Sequence, residues 1–181
     1  MSAVAAGPVC TMALPMQWVS RAAVTDTMQT DADYRRNLRL LEVVASLEAS
    51  QEDAGDDGNP FNHRLSNKLD LLMEMVSVLI SDRSPPPPRV PLTLTRSGAS
   101  WSTPSPPAVS ELLDIIIRLH PDLAYDLRAP ARIEGCEDEA DQFRVHARFE
   151  WTGDLLAAWE RWIFRQHRRA VARERSAPPG D

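Results

Sequence analysis

A run of four consecutive prolines, Pro85–Pro88, separates two parts of the chain that differ in hydrophobic pattern. Proline lacks an amide hydrogen and fixes φ, so the run cannot be helical and should form a stiff, extended spacer. Apolar residues recur at helical spacing before the run and alternate with polar residues after it. The sequence therefore predicts a helical region at residues 30–83, a Pro-rich spacer at residues 84–89 and β-structure from about Val90.

Two helices are predicted before the spacer. The first covers about residues 31–49, where apolar residues recur at helical spacing at Leu38, Leu41, Val44 and Leu47. An acidic segment with two glycines, Gln51–Gly58, follows and has the composition of a loop. The second helix begins at Asn59 and Pro60, a favoured N-cap residue before a proline at the first helical position, and extends to about Ser81.

The second helix carries a heptad pattern, which we call the heptad stripe. Its apolar residues are spaced alternately by four and three, at Leu65, Leu69, Leu72, Val76 and Leu79. Such spacing keeps one face toward a partner helix, and neighbouring Met73, Met75 and Ile80 broaden it, which favours a tetramer or trimer over a dimer. Fewer than three heptads are present, so packing of this face on the first helix and the barrel stays open as the alternative.

Beyond the spacer, short segments of alternating apolar and polar residues predict β-strands. The alternation covers Val90–Leu94, Leu113–Leu119, Tyr125–Ile133 and Phe143–Trp151, with a turn at Arg96–Gly98. Strands that each have one apolar face and are joined by turns are typical of a small antiparallel barrel.

A C-terminal helix is predicted from Thr152–Asp154 onward. Its apolar stripe, which can pack across the barrel, consists of Leu155, Leu156, Trp159, Trp162 and Ile163. It also carries what we call the arginine ridge, consisting of Arg161, Arg165, Arg168, Arg169 and Arg173. Such a ridge could contact phosphates or an acidic partner, but no base-reading aromatic residues are interleaved with it, which argues against nucleic acid. Residues 176–181 are predicted to be a disordered tail.

The N-terminal residues 1–29 show no sustained period and are predicted to be a mobile leader that docks locally through Trp18. No basic residue precedes Arg21, so a signal peptide is not expected, and no stretch approaches the ~20 apolar residues that span a bilayer. Cys10 and Cys136 lie far apart, without metal-ligand spacing. We therefore expect a cytoplasmic protein without membrane insertion.

Charge and motif content exclude several classes of function. The net charge of −6 argues against general attraction to nucleic acid or anionic membranes. All basic residues except Lys68 are arginines, whose guanidinium groups prefer phosphates, carboxylates and guanine edges. The four histidines are scattered, and the chain has neither a Gly-rich phosphate loop nor a nucleophile elbow. We predict no catalytic residues, no metal site and no enzymatic activity.

The order of these segments resembles a known family. A strand, a glycine-containing turn, paired apolar strands, a last strand ending in Phe149 and a closing helix with Trp162–Arg169 are similar to the PilZ domain. With the heptad helix in front, the region Pro60–Arg173 resembles the atypical, oligomeric branch of that family. The resemblance implies an α+β, mainly β fold: a small antiparallel β-barrel with a C-terminal helix at residues 90–175, preceded by two helices.

PilZ domains are generally receptors for the bacterial second messenger cyclic di-GMP. One family motif, Asp/Asn-x-Ser-x-x-Gly after the first strand, corresponds to Thr93, Thr95 and Gly98, so only the glycine matches. The other, Arg-x-x-x-Arg before the barrel, is absent at the spacer, where Arg83 and Arg89 are six residues apart.

A pair with the correct spacing, Arg35 and Arg39, lies within the first predicted helix, where a solvated helix face is the simpler interpretation.

The resemblance thus implies a non-catalytic signalling adaptor in a cyclic di-GMP pathway, without a resident cofactor, which forms a homo-oligomer and binds other proteins of the pathway. One alternative is a cyclic di-GMP receptor with a rebuilt site at Thr95, Arg96 and Gly98. A second alternative is binding of nucleic acid or an acidic partner by the arginine ridge.

Overall fold

The computed structural model of the chain contains a β-barrel flanked by helices. It describes residues 7–21, 27–53, 68–69, 71–72, 75–76, 85–121, 123 and 125–176. The strands are β1 Cys10–Ser20, β2 Arg89–Leu94, β3 Gly98–Thr103, β4 Leu112–Ile117, β5 Leu127–Glu139 and β6 Gln142–Phe149. The long helices are α1 Thr27–Asp53 and α2 Gly153–Ser176.

The strands form one closed barrel in the order β1-β2-β3-β6-β5-β4, and each neighbouring pair is antiparallel. Pairing of β1 with β4 closes the barrel, so that the sheet has no free edge. Each strand turns alternate side chains inward, and the interior is filled by buried residues such as Leu14, Leu92, Trp101, Ile115, Leu127 and Val145. The predicted mainly β fold with a C-terminal helix is confirmed.

The barrel does not begin at Val90, and the prediction of a mobile leader was wrong for residues 10–20. These residues form β1, which pairs with β2 through its first half and with β4 through its second half. Every second side chain of this segment points inward, namely Cys10, Met12, Leu14, Met16 and Trp18. Residues 1–6 and 22–26 lie outside the described residues.

Pro15 made this segment a poor strand candidate, because proline cannot donate a hydrogen bond to a neighbouring strand. The proline lies where β1 changes partner: its last pair with β2 is Pro15 with Arg89, and its first pair with β4 is Met16 with Ile117. Its carbonyl oxygen still accepts a hydrogen bond from the amide of Arg118, at 3.0 Å. A proline is therefore tolerated at this one position of the strand.

Helix α1, the first helix of the predicted oligomerisation region at residues 30–83, packs against the barrel and α2. Its buried face consists of Asn37, Leu40, Leu41, Val44 and Glu48. The side-chain amide of Asn37 forms two hydrogen bonds with the backbone of Arg128 in β5. Its Nδ2 donates to the carbonyl oxygen of Arg128 at 2.6 Å, and its Oδ1 accepts from the backbone N–H of Arg128 at 3.1 Å. These two hydrogen bonds to one residue fix the position of α1 along β5.

The predicted second helix is only partly described. The six described residues between positions 68 and 76, namely Lys68, Leu69, Leu71, Leu72, Met75 and Val76, are all helical, as predicted. The predicted acidic loop, Gln51–Gly58, is wrong for its first three residues, which belong to α1, and residues 54–58 lie outside the described residues. Ser176 of the predicted tail is the last residue of α2. Leu65 and Leu79 of the heptad stripe and residues 177–181 also lie outside the described residues. Pro85–Pro88 is neither helix nor strand, and β2 begins at Arg89, within the range predicted as the spacer.

Candidate functional site

The turn between β2 and β3 contains the three residues that were predicted as a ligand site, Thr95, Arg96 and Gly98. The hydroxyl of Thr95 accepts hydrogen bonds from the amides of Ser97 and Gly98, at 3.3 and 3.1 Å. The amide of Thr95 donates to the carbonyl oxygen of Gly98 at 2.9 Å. A hydroxyl that accepts hydrogen bonds from nearby backbone amides is a common way to stabilise a turn. Here the two amides that bond the Thr95 hydroxyl are ones that could otherwise donate to an anion.

Gly98, the one motif position that matches the family, is required by packing between two strands. It pairs with Arg148 of β6, and a Cβ at this position would lie 2.0 Å from the carbonyl oxygen of Ala147. The obstacle is backbone that is held in the β3–β6 pairing, so it cannot move aside as a flexible side chain would. The barrel alone therefore explains the glycine, without a ligand.

Helix α2 holds the turn from the side. The indole Nε1 of Trp159 donates a hydrogen bond to the carbonyl oxygen of Thr95 at 2.9 Å, and Arg96 forms an ion pair with Glu160 of the same helix. Trp159 itself is fully buried in a cluster of aromatic rings with Phe149, Trp151 and Trp162, whose centroids lie 4.9–5.6 Å from its own. Two neighbouring residues of α2 thus engage the turn.

The arginine ridge is not one continuous surface. Arg165 and Arg169 contact the buried carboxylate of Glu48 in α1, with N–O distances of 3.5 and 3.1 Å. Gln166 Nε2 also donates to this carboxylate, and Arg169 Nη2 donates to the backbone carbonyl of Glu48 at 3.3 Å. Two of the five predicted partner-binding arginines therefore join α2 to α1, whereas Arg161, Arg168 and Arg173 are exposed.

The described part of the heptad stripe faces solvent. Leu69, Leu72 and Val76 expose 52, 57 and 52% of their surface, and the adjacent Leu71 and Met75 are exposed to a similar degree. These residues do not belong to the hydrophobic cluster formed by the barrel with α1 and α2. Within the described chain, this apolar face is therefore not covered by α1 or by the barrel.

The described residues contain no group of three or more His, Cys, Asp or Glu side chains that could hold a metal ion. His146 lies 3.7 Å from Glu137, and His167 Nδ1 contacts the carbonyl oxygen of Val9 at 2.9 Å, so both have structural neighbours. Burial raises the pKa of the Cys10 thiol, which disfavours a reactive thiolate. His63 lies outside the described residues.

No helix in the described ranges has both the length and the apolar character needed to cross a bilayer.

Three polar residues that position the helices were missed by the sequence analysis: Asn37, Glu48 and Glu160. Asn37 and Glu48 lie on the same face of α1 as Leu41 and Val44, with steps of four, three and four residues. A buried face of this kind can be found from helical spacing if polar residues are allowed on it. The contact of Glu160 with Arg96 depends on tertiary structure and has no sequence signature.

Comparison with known proteins agrees with this architecture. A family model described as "Atypical PilZ domain, cyclic di-GMP receptor" matches residues 36–176, well over half of the chain. The chain belongs to the atypical PilZ domain family. The resemblance found in the sequence is thus confirmed. Members of a receptor family bind a ligand and do not catalyse a reaction, in agreement with the prediction that the protein is not an enzyme.

A solved structure has the same PilZ fold. It is a crystal structure of a pathogenic protein from Xanthomonas campestris, described as a new tetrameric PilZ domain self-assembled via an unusual helical bundle. The two chains are 21% identical, with a TM-score of 0.77, and the alignment covers 93% of this chain and 92% of that one. No match was found among curated proteins.

Proposed function

We propose that the protein is a non-catalytic adaptor in a cyclic di-GMP pathway, and that its inherited cyclic di-GMP turn now serves the fold. The observation that carries this proposal is the contact of α2 with the turn: Trp159 bonds the carbonyl of Thr95, and Glu160 is ion-paired with Arg96. The turn is thereby tied to the closing helix of the barrel.

The chemistry of cyclic di-GMP explains why this arrangement opposes the usual site. The dinucleotide carries two phosphates and two guanine bases, which require free guanidinium groups and free amides. Here the amides of Ser97 and Gly98 are occupied by Thr95, and Arg96 already has a carboxylate partner. The Glu160 carboxylate would also repel a phosphate brought close to Arg96.

The second part of the proposal is assembly through the heptad stripe, into a tetramer or trimer rather than a dimer. Leu69, Leu72 and Val76 expose a line of large apolar side chains, which monomeric proteins seldom leave uncovered. Leu65 and Leu79 extend the same spacing in both directions. The Xanthomonas protein is described as a tetrameric PilZ domain that self-assembles via a helical bundle, which supports an assembly larger than a dimer. We place the assembly in the cytoplasm, with other signalling proteins as its partners.

The alternative is a cyclic di-GMP receptor with a rebuilt site at Thr95, Arg96 and Gly98. The side chain of Arg96 is 63% exposed, so a phosphate could reach it and replace Glu160 as its partner. An exposed ion pair of this kind is weak, in general about 0–1 kcal/mol, and would not prevent such an exchange.

Calorimetric titration with cyclic di-GMP separates the two candidates. The adaptor proposal predicts no binding by the wild-type protein at high ligand concentration. The receptor alternative predicts binding at micromolar concentration that is weakened by Arg96→Ala and strengthened by Glu160→Gln, which removes the competing charge. Arg168→Ala, at an exposed position of the same helix, is the matched control. Micromolar binding that follows this pattern would overturn the adaptor proposal.

The second alternative, binding of nucleic acid or an acidic partner by the arginine ridge, is supported only by the exposed Arg161, Arg168 and Arg173. Phosphate contacts are strongest at low salt, because counterion release then contributes most. Absence of binding to duplex DNA or RNA at low salt would exclude the nucleic-acid form of this alternative.

A further inference from the structure

A broad groove lies between α1 and the segment that follows β4. Its volume is about 820 Å³, and three arginines of α1, namely Arg35, Arg36 and Arg39, line one side. We call it the basic groove. Among the described residues, it shares none with the β2–β3 turn, the heptad stripe or the arginine ridge.

The arginines of the basic groove have no carboxylate partner within the described residues. Arg35 Nε donates to the backbone carbonyl of Asp31 at 3.4 Å, and the guanidinium of Arg36 lies 5.0 Å from the ring centroid of Tyr125. The ion pairs found in the described chain involve other arginines. In a chain of net charge −6, the groove is thus a local concentration of positive charge.

The floor and far wall of the groove are apolar. Leu40 and Leu123 are buried beneath the surface, while Val43 and Tyr125 are 38 and 50% exposed. One ring face of Tyr125 is occupied by Arg36, so it is poorly placed to stack a nucleotide base. Aliphatic side chains offer no hydrogen bonds to base edges but provide favourable contacts for apolar side chains of a peptide.

We propose that the basic groove binds an acidic, amphipathic helical segment of a partner protein. Arg35 and Arg39 are one helical turn apart, with Cβ atoms roughly 5–6 Å from each other. Two carboxylates four residues apart on a bound helix have the same separation and can face them. Apolar residues on the adjoining face of that segment contact Val43 and Tyr125. This inference rests on the proposed adaptor function and specifies the chemistry of its partner.

Fluorescence anisotropy with a labelled synthetic peptide tests the proposal on the full-length protein. The probe is a helical peptide that combines glutamates four residues apart with leucines on the adjoining face. Binding is expected to weaken at least about ten-fold in Arg35→Glu/Arg39→Glu, because attraction of the peptide carboxylates becomes repulsion. The matched control, Arg161→Glu/Arg168→Glu, makes the same charge change on α2 and should bind within about two-fold of the wild type.

Further measurements locate the site and separate this proposal from the adaptor function. The methyl resonances of Val43 and Leu123 should shift on addition of the peptide, and a peptide with lysine in place of glutamate should not bind. Equal losses in the two double variants, no binding of the acidic peptide, or displacement of the peptide by inorganic phosphate or cyclic di-GMP would each overturn the proposal. The titration of Arg96 variants with cyclic di-GMP reports on the turn alone, so the two ideas can fail independently.

Discussion

The indole Nε1 of Trp159 donates a hydrogen bond to the backbone carbonyl of Thr95, across a distance of 2.9 Å. This bond joins the middle of α2 to the turn between β2 and β3. The adjacent Glu160 adds an ion pair with Arg96 of the same turn. Helix α2 also contacts α1 through Glu48, so the turn and both helices form one connected unit.

Trp159→Phe should lower the free energy of unfolding by about 1 kcal/mol more than Trp162→Phe, because only Trp159 has a hydrogen bond to lose. The two tryptophans are buried on one helix and stacked on each other, and Trp162 Nε1 has no partner within the described residues. Urea denaturation of both variants measures the difference. Equal losses would show that the bond to Thr95 contributes nothing to stability.

Gly98→Ala should destabilise the protein by about 1–3 kcal/mol, as expected when a methyl group is forced into a packed site. The new Cβ would collide with the carbonyl oxygen of Ala147, and the backbone there must move. Gly135→Ala is the matched control, since nothing lies within 4 Å of its Cβ position. Thermal unfolding should show a lower Tm for the first variant only; a normal Tm for Gly98→Ala would contradict the packing explanation of this glycine.

Alternation predicted β2, β4, β6 and the first half of β5, because these segments have one buried and one exposed face. It did not predict β3, whose buried residues do not alternate regularly, or the exposed second half of β5. It failed for β1, where Pro15 hid an alternation that runs from Cys10 to Trp18. The missing amide hydrogen of Pro15 removes a hydrogen bond at that position only, and β1 changes its partner strand there. The pairing of β1 with both β2 and β4 depends on barrel closure, which no local pattern encodes.

The candidate site was predicted less well than the fold. Thr95, Arg96 and Gly98 do lie together in one turn, as the spacing indicated. Their contacts with Glu160 and Trp159 bring residues more than sixty positions apart into contact, and sequence spacing cannot reveal these. The arginine ridge was read as one surface because its spacing is regular, but α1 packs against α2 and its Glu48 engages Arg165 and Arg169.

Glu48→Ala should destabilise the contact between α1 and α2 by about 1–3 kcal/mol, because it removes the buried carboxylate that three side chains of α2 contact. Arg165, Gln166 and Arg169 all contact the Glu48 side chain. Glu42→Ala, on the exposed side of α1, should change stability by less than about 0.5 kcal/mol. Urea denaturation compares them, and equal small effects would mean that the ion pairs do not hold the helices together.

Glu111 should make stability depend on pH on the acid side. Hydrogen bonds from Ser20 Oγ, at 2.6 Å, and from the Ala108 amide, at 2.9 Å, hold the pKa of this carboxyl below its ordinary value of 4.5. A carboxyl group whose pKa is lowered by folding stabilises the folded state at pH values above its ordinary pKa. This stabilisation is lost as the pH falls through the lowered pKa. Ser20→Ala should therefore raise the pKa of Glu111 in an NMR titration and reduce the acid-side change in Tm. Coinciding titration curves would contradict this assignment.

Light scattering on the purified protein tests most directly the claim that copies of the chain assemble through the heptad stripe. At tens of micromolar, the wild type should have three or four times the 20.2 kDa mass of one chain. Leu72→Asp should reduce it to the monomer mass, because an unpaired carboxylate would be buried in the assembled stripe. Val109→Asp, at an exposed apolar residue outside the stripe, should leave the assembly unchanged. A wild-type protein that is a strict monomer, with a mass unaltered by Leu72→Asp, would contradict the account.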